Sequence, residues 1–147
     1  MFARALFAFL ALPGIVAFAI PLALWRSRSF DPVGLLLIGI GSAALLWCAR
    51  DFYVAGKGTL APWAPPKNPV VCGLYRYSRN PMYVAVILIL AGWAIGFHSR
   101  QLLGYMVVVM VAFHCRIVWG EEPWLARTHG ELWEEYRRRV PRWLANF

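Results

Sequence analysis

Residues 73–83 read GLYRYSRNPMY, which sets two guanidiniums, Arg76 and Arg79, among Tyr75, Tyr77 and Tyr83 at the mouth of a long apolar run. A second polar stretch, GEEPWLARTHGELWEEYRRRVPRW, begins at Gly120, where the next apolar run ends. These residue types suit a small ligand with several kinds of functional group. Arginine holds a carboxylate through two parallel hydrogen bonds. Pro81 fits the first position of a helix, and the free N–H groups behind it favour an anion. Glu121 and Glu122 can take an ammonium group or sugar hydroxyls. Tyr75, Tyr77, Tyr83, Trp119 and Trp124 offer ring faces to a planar base or to a cation.

Apolar helices must position these groups. Of the 147 residues, 61% are hydrophobic, against the ~45–50% of a soluble domain. The apolar residues gather in four blocks, about 2–24, 33–48 with an extension towards 54, 82–97 and 102–119. A bilayer core ~30 Å thick asks for ~20 helical residues, so the third block must stand upright or borrow from its flanks. The pattern predicts an all-α, polytopic membrane protein with four transmembrane helices in a single domain. Two N-terminal spans fill 1–54, a cytoplasmic loop 55–81, a helix hairpin 82–119, and amphipathic interfacial tail helices 120–147. Four prolines, Pro62, Pro65, Pro66 and Pro69, exclude a continuous helix in the loop. Its length marks it as functional. Gly92 with Gly96, and Gly39 with Ala43, permit close helix contact in lipid.

Charge orients the chain. With the N-terminus in the cytoplasm, that side carries twelve cations, from Arg4 through Arg50, Lys57, Lys67, Arg76, Arg79 and Arg116 to the arginines of the tail. The other side carries Arg26, Arg28 and Arg100. The positive-inside bias puts both termini in the cytoplasm, at an inner membrane. The net charge of +8 then needs no nucleic-acid partner, because anionic headgroups attract it. The first block is read as a span rather than a cleavable leader, since no polar mature domain follows. Cys48, Cys72 and Cys115 have no metal-ligand spacing and read as packing residues, with no metal site expected.

In the tail, Pro123 suits the first position of a new helix, with Glu121 and Glu122 beside its positive end. Gly130 interrupts the pattern, and Thr128 with Glu131 fits a capping box that restarts it. Leu125, Leu132, Tyr136 and Val140 share one face, and Pro141 stops the helix. If the third and fourth helices form a hairpin through His98-Ser99-Arg100, the two polar stretches meet at the cytoplasmic face.

A carboxylate, an ammonium, a ribose, a purine and a sulfonium together make S-adenosylmethionine, though a nucleotide suits the same residues nearly as well. GLYRYSRNPMY, EEPWL and HGELWEEYRRRVPRW resemble the motifs of the integral-membrane methyltransferase superfamily, which includes isoprenylcysteine carboxyl methyltransferases and phospholipid N-methyltransferases. The matching positions are Gly73, Tyr75, Arg76, Tyr77, Arg79, Asn80, Pro81 and Tyr83, then Glu121, Glu122, Gly130, Tyr136, Val140 and Pro141. The resemblance covers about residues 70–144. It implies S-adenosylmethionine as cofactor, bound by Gly73, Tyr75, Arg76, Arg79, Asn80, Pro81, Tyr83, Glu121 and Glu122, with catalytic weight on Arg79, Glu121 and Glu122. A lipid or lipophilic acceptor would enter from the bilayer. His114 joins the binding set as an ionisable residue of the fourth helix. Asn80 stands where the isoprenylcysteine branch usually has His, which leans the acceptor towards a phospholipid amine. Ala85 and Trp133 also depart from the pattern, and they bear on the acceptor more than on the cofactor. The competing reading is a non-catalytic membrane protein whose basic tail docks anionic lipid or a partner. A channel or transporter finds no broken inverted repeat in its support.

Overall fold

The structure, a computed structural model, describes residues 13–24, 29–55 and 69–144. About half of the first apolar block (2–12) and about half of the 55–81 loop (56–68) lie outside these residues, as do Trp25 and Trp63. Among the described residues the regular structure is helical throughout, with no strand. A π-helical turn, Ile15–Ala19, runs into α1, Ile20–Ala23; then come α2, Pro32–Val54, and α3, Pro81–Gly96. After these, α4, Arg100–Arg116, a π-helical turn, Ile117–Glu121, and α5, Glu122–His129, form one continuous helix, followed by α6, Glu131–Arg139. Two helices are long and apolar enough to cross a membrane, Pro32–Val54 and the helix containing α4, Arg100–His129. At 16 residues, α3 is a shorter apolar helix. The described helices therefore supply two spans of full length, where the sequence predicts four.

Helices α2, α3 and α4 run antiparallel to their chain neighbours. Asp31, at the start of α2, donates its N–H to the Gly96 carbonyl at the end of α3 (2.8 Å). Ser99 caps α4 by accepting from the Leu102 N–H (3.3 Å). The α2–α3 seam is closed by missing side chains. A Cβ on Gly34 would lie 2.5 Å from the Gly92 oxygen, and one on Gly96 would lie 2.3 Å from the Phe30 ring. Small residues let backbones approach where lipid offers no hydrophobic drive to associate. Of the two small-residue pairs in the sequence, Gly92–Gly96 makes this contact and Gly39–Ala43 does not. Nothing lies within 4 Å of a Cβ on Gly39, and Gly34 and Gly41 face α3 in its place.

Both π turns end two residues before a proline, Pro21 and Pro123. Proline cannot donate to the carbonyl four residues back and its ring crowds that carbonyl; widening the turn relieves the crowding. The carbonyls that Pro21 cannot serve, Ala17 and Val16, accept instead from the Trp93 indole N–H (2.8 Å) and the Tyr105 hydroxyl (3.0 Å). Neighbouring helices thus satisfy backbone that a bilayer could not. At Pro123 the same device corrects the predicted tail boundary. The fourth helix does not stop at Trp119 and restart, but continues through the widened turn to His129.

Gly130 (φ +51°) makes the real break. Thr128 lies within α5, so the expected capping box does not form, and α6 begins without a side-chain cap. The inward side keeps Tyr136 and Val140 of the predicted face and differs at its start. Trp133 is buried and Leu132 is exposed.

Candidate functional site

The antiparallel order gathers the end of α2, residues 70–80, the start of α3, the end of α4 with its π turn, and the chain after α6 at one end of the bundle. Backbone contacts fix the meeting of the two polar stretches. The Arg79 N–H donates to the Pro141 carbonyl (2.9 Å). The Arg142 carbonyl accepts from the Asn80 amide (3.0 Å) and the Ser78 hydroxyl (3.4 Å). Pro141 ends α6, and the extended chain beyond it presents these carbonyls. The Tyr136 hydroxyl donates to the Tyr75 carbonyl (2.7 Å), joining α6 to the 3₁₀ turn Gly73–Arg76.

On this frame sit two ion clusters. Glu122 holds two guanidiniums: Arg79 Nη1 donates to its Oε1 (2.8 Å), and Arg142 binds both oxygens through Nε (2.9 Å) and Nη2 (2.8 Å). The Arg79 and Glu122 side chains are 9% and 13% exposed. The Arg79 guanidinium lies over the Trp133 ring, 5.6 Å from its centre, in the manner of a cation–π contact. Its Nε is buried without a hydrogen-bond partner. The second cluster is centred on Glu121 Oε1, which accepts from the Tyr83 hydroxyl and from Arg116 Nε (2.9 Å). Tyr83 in turn stacks on Phe113 across the α3–α4 hairpin (centroids 4.3 Å).

The electrostatics follow from burial and pairing. Burial lowers the pKa of the Arg79 guanidinium, although Glu122 works against that shift. Hydrogen bonds to Glu122 raise that of Arg142. Burial raises the Tyr136 phenol, and it does the same to Tyr75, where the nearby Cys48, Tyr136, Tyr83 and Asp51 add to it. The Glu122 cluster carries two cations to one carboxylate. With the unpartnered Arg79 Nε, that excess suits the carboxylate of a further ligand, so the residues present fit an amino-acid-bearing cofactor.

Of the residues singled out from sequence, Arg79, Asn80, Tyr83, Glu121 and Glu122 come together. Arg79 meets Glu122 rather than Glu121. Pro81 starts α3 and is buried. Tyr75 is buried beneath the loop. Gly73 has φ +56°, and a Cβ there would lie 2.0 Å from Asp51 Oδ2, so its part is to let the turn close on α2. Arg76 is exposed and makes none of these contacts. His114 is exposed on α4, with its ring facing Trp143 (centroids 6.4 Å), apart from both clusters. Arg142, Ser78 and Asp51 had not been singled out. Their signals were a basic residue just past a helix-ending proline, a hydroxyl inside the first motif, and an acid inside an apolar run.

A helical membrane-type bundle with a buried arginine–carboxylate cluster at one end is the class that fold and site define. The chain belongs to the phospholipid methyltransferase family, whose sequence model matches residues 31–131. It is 33% identical over 78 residues to the protein-S-isoprenylcysteine O-methyltransferase of Schizosaccharomyces pombe, covering 49% of this chain and 30% of that protein. It is also 25% identical over 117 residues to the nickel-cobalt-cadmium resistance protein NccN of Alcaligenes xylosoxydans xylosoxydans and to the cobalt-zinc-cadmium resistance protein CzcN of Cupriavidus metallidurans. Each of those matches covers 80% of this chain and 50% of the relative. The chain thus spans half the length, or less, of the curated relatives it matches. No solved structure matches it.

Proposed function

We propose that the protein transfers a methyl group from S-adenosylmethionine to a lipid or lipophilic acceptor at the cytoplasmic face of the membrane, with a phospholipid amine ahead of a carboxyl or thiol. The observation that carries this reading is the Glu122 cluster, in which residues from both family motifs share one buried ion network. S-adenosylmethionine supplies, when bound, a methyl group on a positively charged sulfur. Arg79, with its remaining Nε, and Arg142 would hold the ligand's carboxylate. The Trp133 ring covers the Arg79 guanidinium on one side, and Tyr83 holds Glu121 beside it. Methyl transfer is an in-line displacement, so fixing donor and acceptor in line supplies most of the rate. Glu122 has both oxygens engaged by arginines. Glu121, whose side chain is 33% exposed, is the better carboxylate for passing an amine's proton to water.

The non-catalytic alternative needs a basic tail. In α6, however, three glutamates offset three arginines, and Arg137–Glu134 and Arg139–Glu135 pair along the helix. The metal-resistance names belong to the relatives. Among the described residues no group of three or more His, Cys, Asp or Glu is placed to hold a metal ion.

Incubating the purified protein with methyl-labelled cofactor and a total lipid extract tests the proposal. A labelled lipid identified as an N-methylated phospholipid supports the full reading, and a labelled ester moves the acceptor to a carboxyl. No labelled product from folded protein overturns it.

A further inference from the structure

We propose that Asp51, on the last turn of α2, is the residue that receives a ligand's ammonium group. The proposal deepens the methyltransferase reading and rests on it.

The argument begins with a census of acids. The chain has seven, and all are described. Asp31 caps α2 at the opposite end of the bundle. Glu122 is filled by two arginines and Glu121 by Tyr83 and Arg116. Glu134 and Glu135 pair within α6, and Glu131 is exposed. Asp51 differs from all of these. It is 8% exposed, and its Oδ2 is buried with no hydrogen-bond partner. Among the described residues the one cation paired with it, Arg50, lies 4.0 Å from the other oxygen and is itself 74% exposed. A buried polar atom without a partner is costly, and an ionisable one at the end of a membrane helix is a functional candidate.

The position of Asp51 relates it to the site. Its Oδ2 occupies the space that a Cβ on Gly73 would fill, and the Trp47 indole nitrogen lies 3.1 Å from that same point. Gly73 opens the first polar motif, and two residues on is Tyr75, whose carbonyl is held by Tyr136. The Tyr75 ring packs beside Phe52, the next residue after Asp51 (centroids 6.2 Å). An unpaired carboxylate oxygen therefore lies at the foot of the loop whose other end carries Arg79. A ligand carboxylate at Arg79 and an ammonium at Asp51 form a complementary pair of subsites. An ammonium group has two sources here, the amino-acid end of the methyl donor and the primary amine of an acceptor lipid.

The test uses the full chain purified in detergent, as wild type and Asp51→Asn, titrated with S-adenosylhomocysteine and with 5′-methylthioadenosine, which lacks the amino-acid end. Methyl transfer to phosphatidylethanolamine in mixed micelles is measured in parallel. If the donor's ammonium sits on Asp51, the substitution weakens S-adenosylhomocysteine about ten- to a hundredfold and leaves methylthioadenosine unchanged. If the acceptor's amine sits there, both nucleosides bind as before and the KM for phosphatidylethanolamine rises by a similar factor. In either case the melting midpoint holds or rises, because an unpartnered buried carboxylate has been replaced by a neutral amide. Should the amide fail to fold, Asp51→Ser repeats the comparison. Unchanged nucleoside affinities together with an unchanged KM overturn the proposal, as does a midpoint lowered by several degrees, which marks a structural acid. Failure of the folded wild type to bind S-adenosylhomocysteine refutes the methyltransferase reading itself, a result distinct from these.

Discussion

Glu121 and Glu122 are adjacent in sequence and differ in what surrounds them. Glu122 faces inward, where Arg79 and Arg142 occupy both oxygens and the pair with Arg79 is nearly sealed from solvent. Glu121 lies at the rim, between a phenol of α3 and the half-exposed Arg116 of its own helix. Successive helical residues point ~100° apart, so an acidic pair within one continuous helix divides the work: one acid organises the interior and the other meets water.

Substitutions can break this comparison. The largest effect falls on Glu122→Gln, which leaves two guanidiniums around a neutral amide. Removing one partner of a buried pair costs about 3–5 kcal/mol, read as a lower unfolding midpoint in detergent. Next is Gly34→Val at the far end of the bundle. Its side chain meets the Gly92 oxygen and the Gly96 backbone, and overpacking costs about 1–3 kcal/mol. Gly39→Val, on the outward face of the same helix, changes stability little. Glu121→Gln is milder, about 1 kcal/mol, because an exposed pair contributes little and one hydrogen bond is at stake. The Arg139–Glu135 pair comes last, with a coupling of about 0.3–0.5 kcal/mol in a double-mutant cycle. A pH series adds a check on the interior. The raised phenols of Tyr75 and Tyr136 keep their protons when folded. Their contribution is therefore complete below pH ~10, the ordinary tyrosine value, and is lost as pH rises beyond it. A midpoint that stays flat from pH 9 to 11 contradicts their burial.

Much of this was legible in the residues. Pro81 marked the start of α3, Ser99 sits in the predicted hairpin turn, and GLYRYSRNPMY with EEPWL pointed to the end of the bundle where the clusters lie. Which glutamate meets Arg79 was not legible, because it depends on a helical phase that the π turn before Pro123 resets. Arg142 escaped notice because its place comes from the extended chain after Pro141, held by backbone carbonyls that no side-chain pattern records. The seam glycines were half visible. Gly92 and Gly96 stood out, but Gly34 and Gly41, seven apart, form no four-residue repeat. Asp51 was not legible because a lone acid in the extension of the second apolar block towards 54 forms no motif with either polar stretch. In α2 it lies on the last buried turn.

The central claim is that Arg79, Glu122 and Arg142 form the floor of a methyl-donor site, and calorimetry of S-adenosylhomocysteine binding tests it most directly. The account predicts saturable binding by the wild type, at least tenfold weaker binding by Glu122→Gln that still folds, and a smaller loss for Glu121→Gln. Equal affinity in wild type and Glu122→Gln, or none in folded wild type, would contradict it.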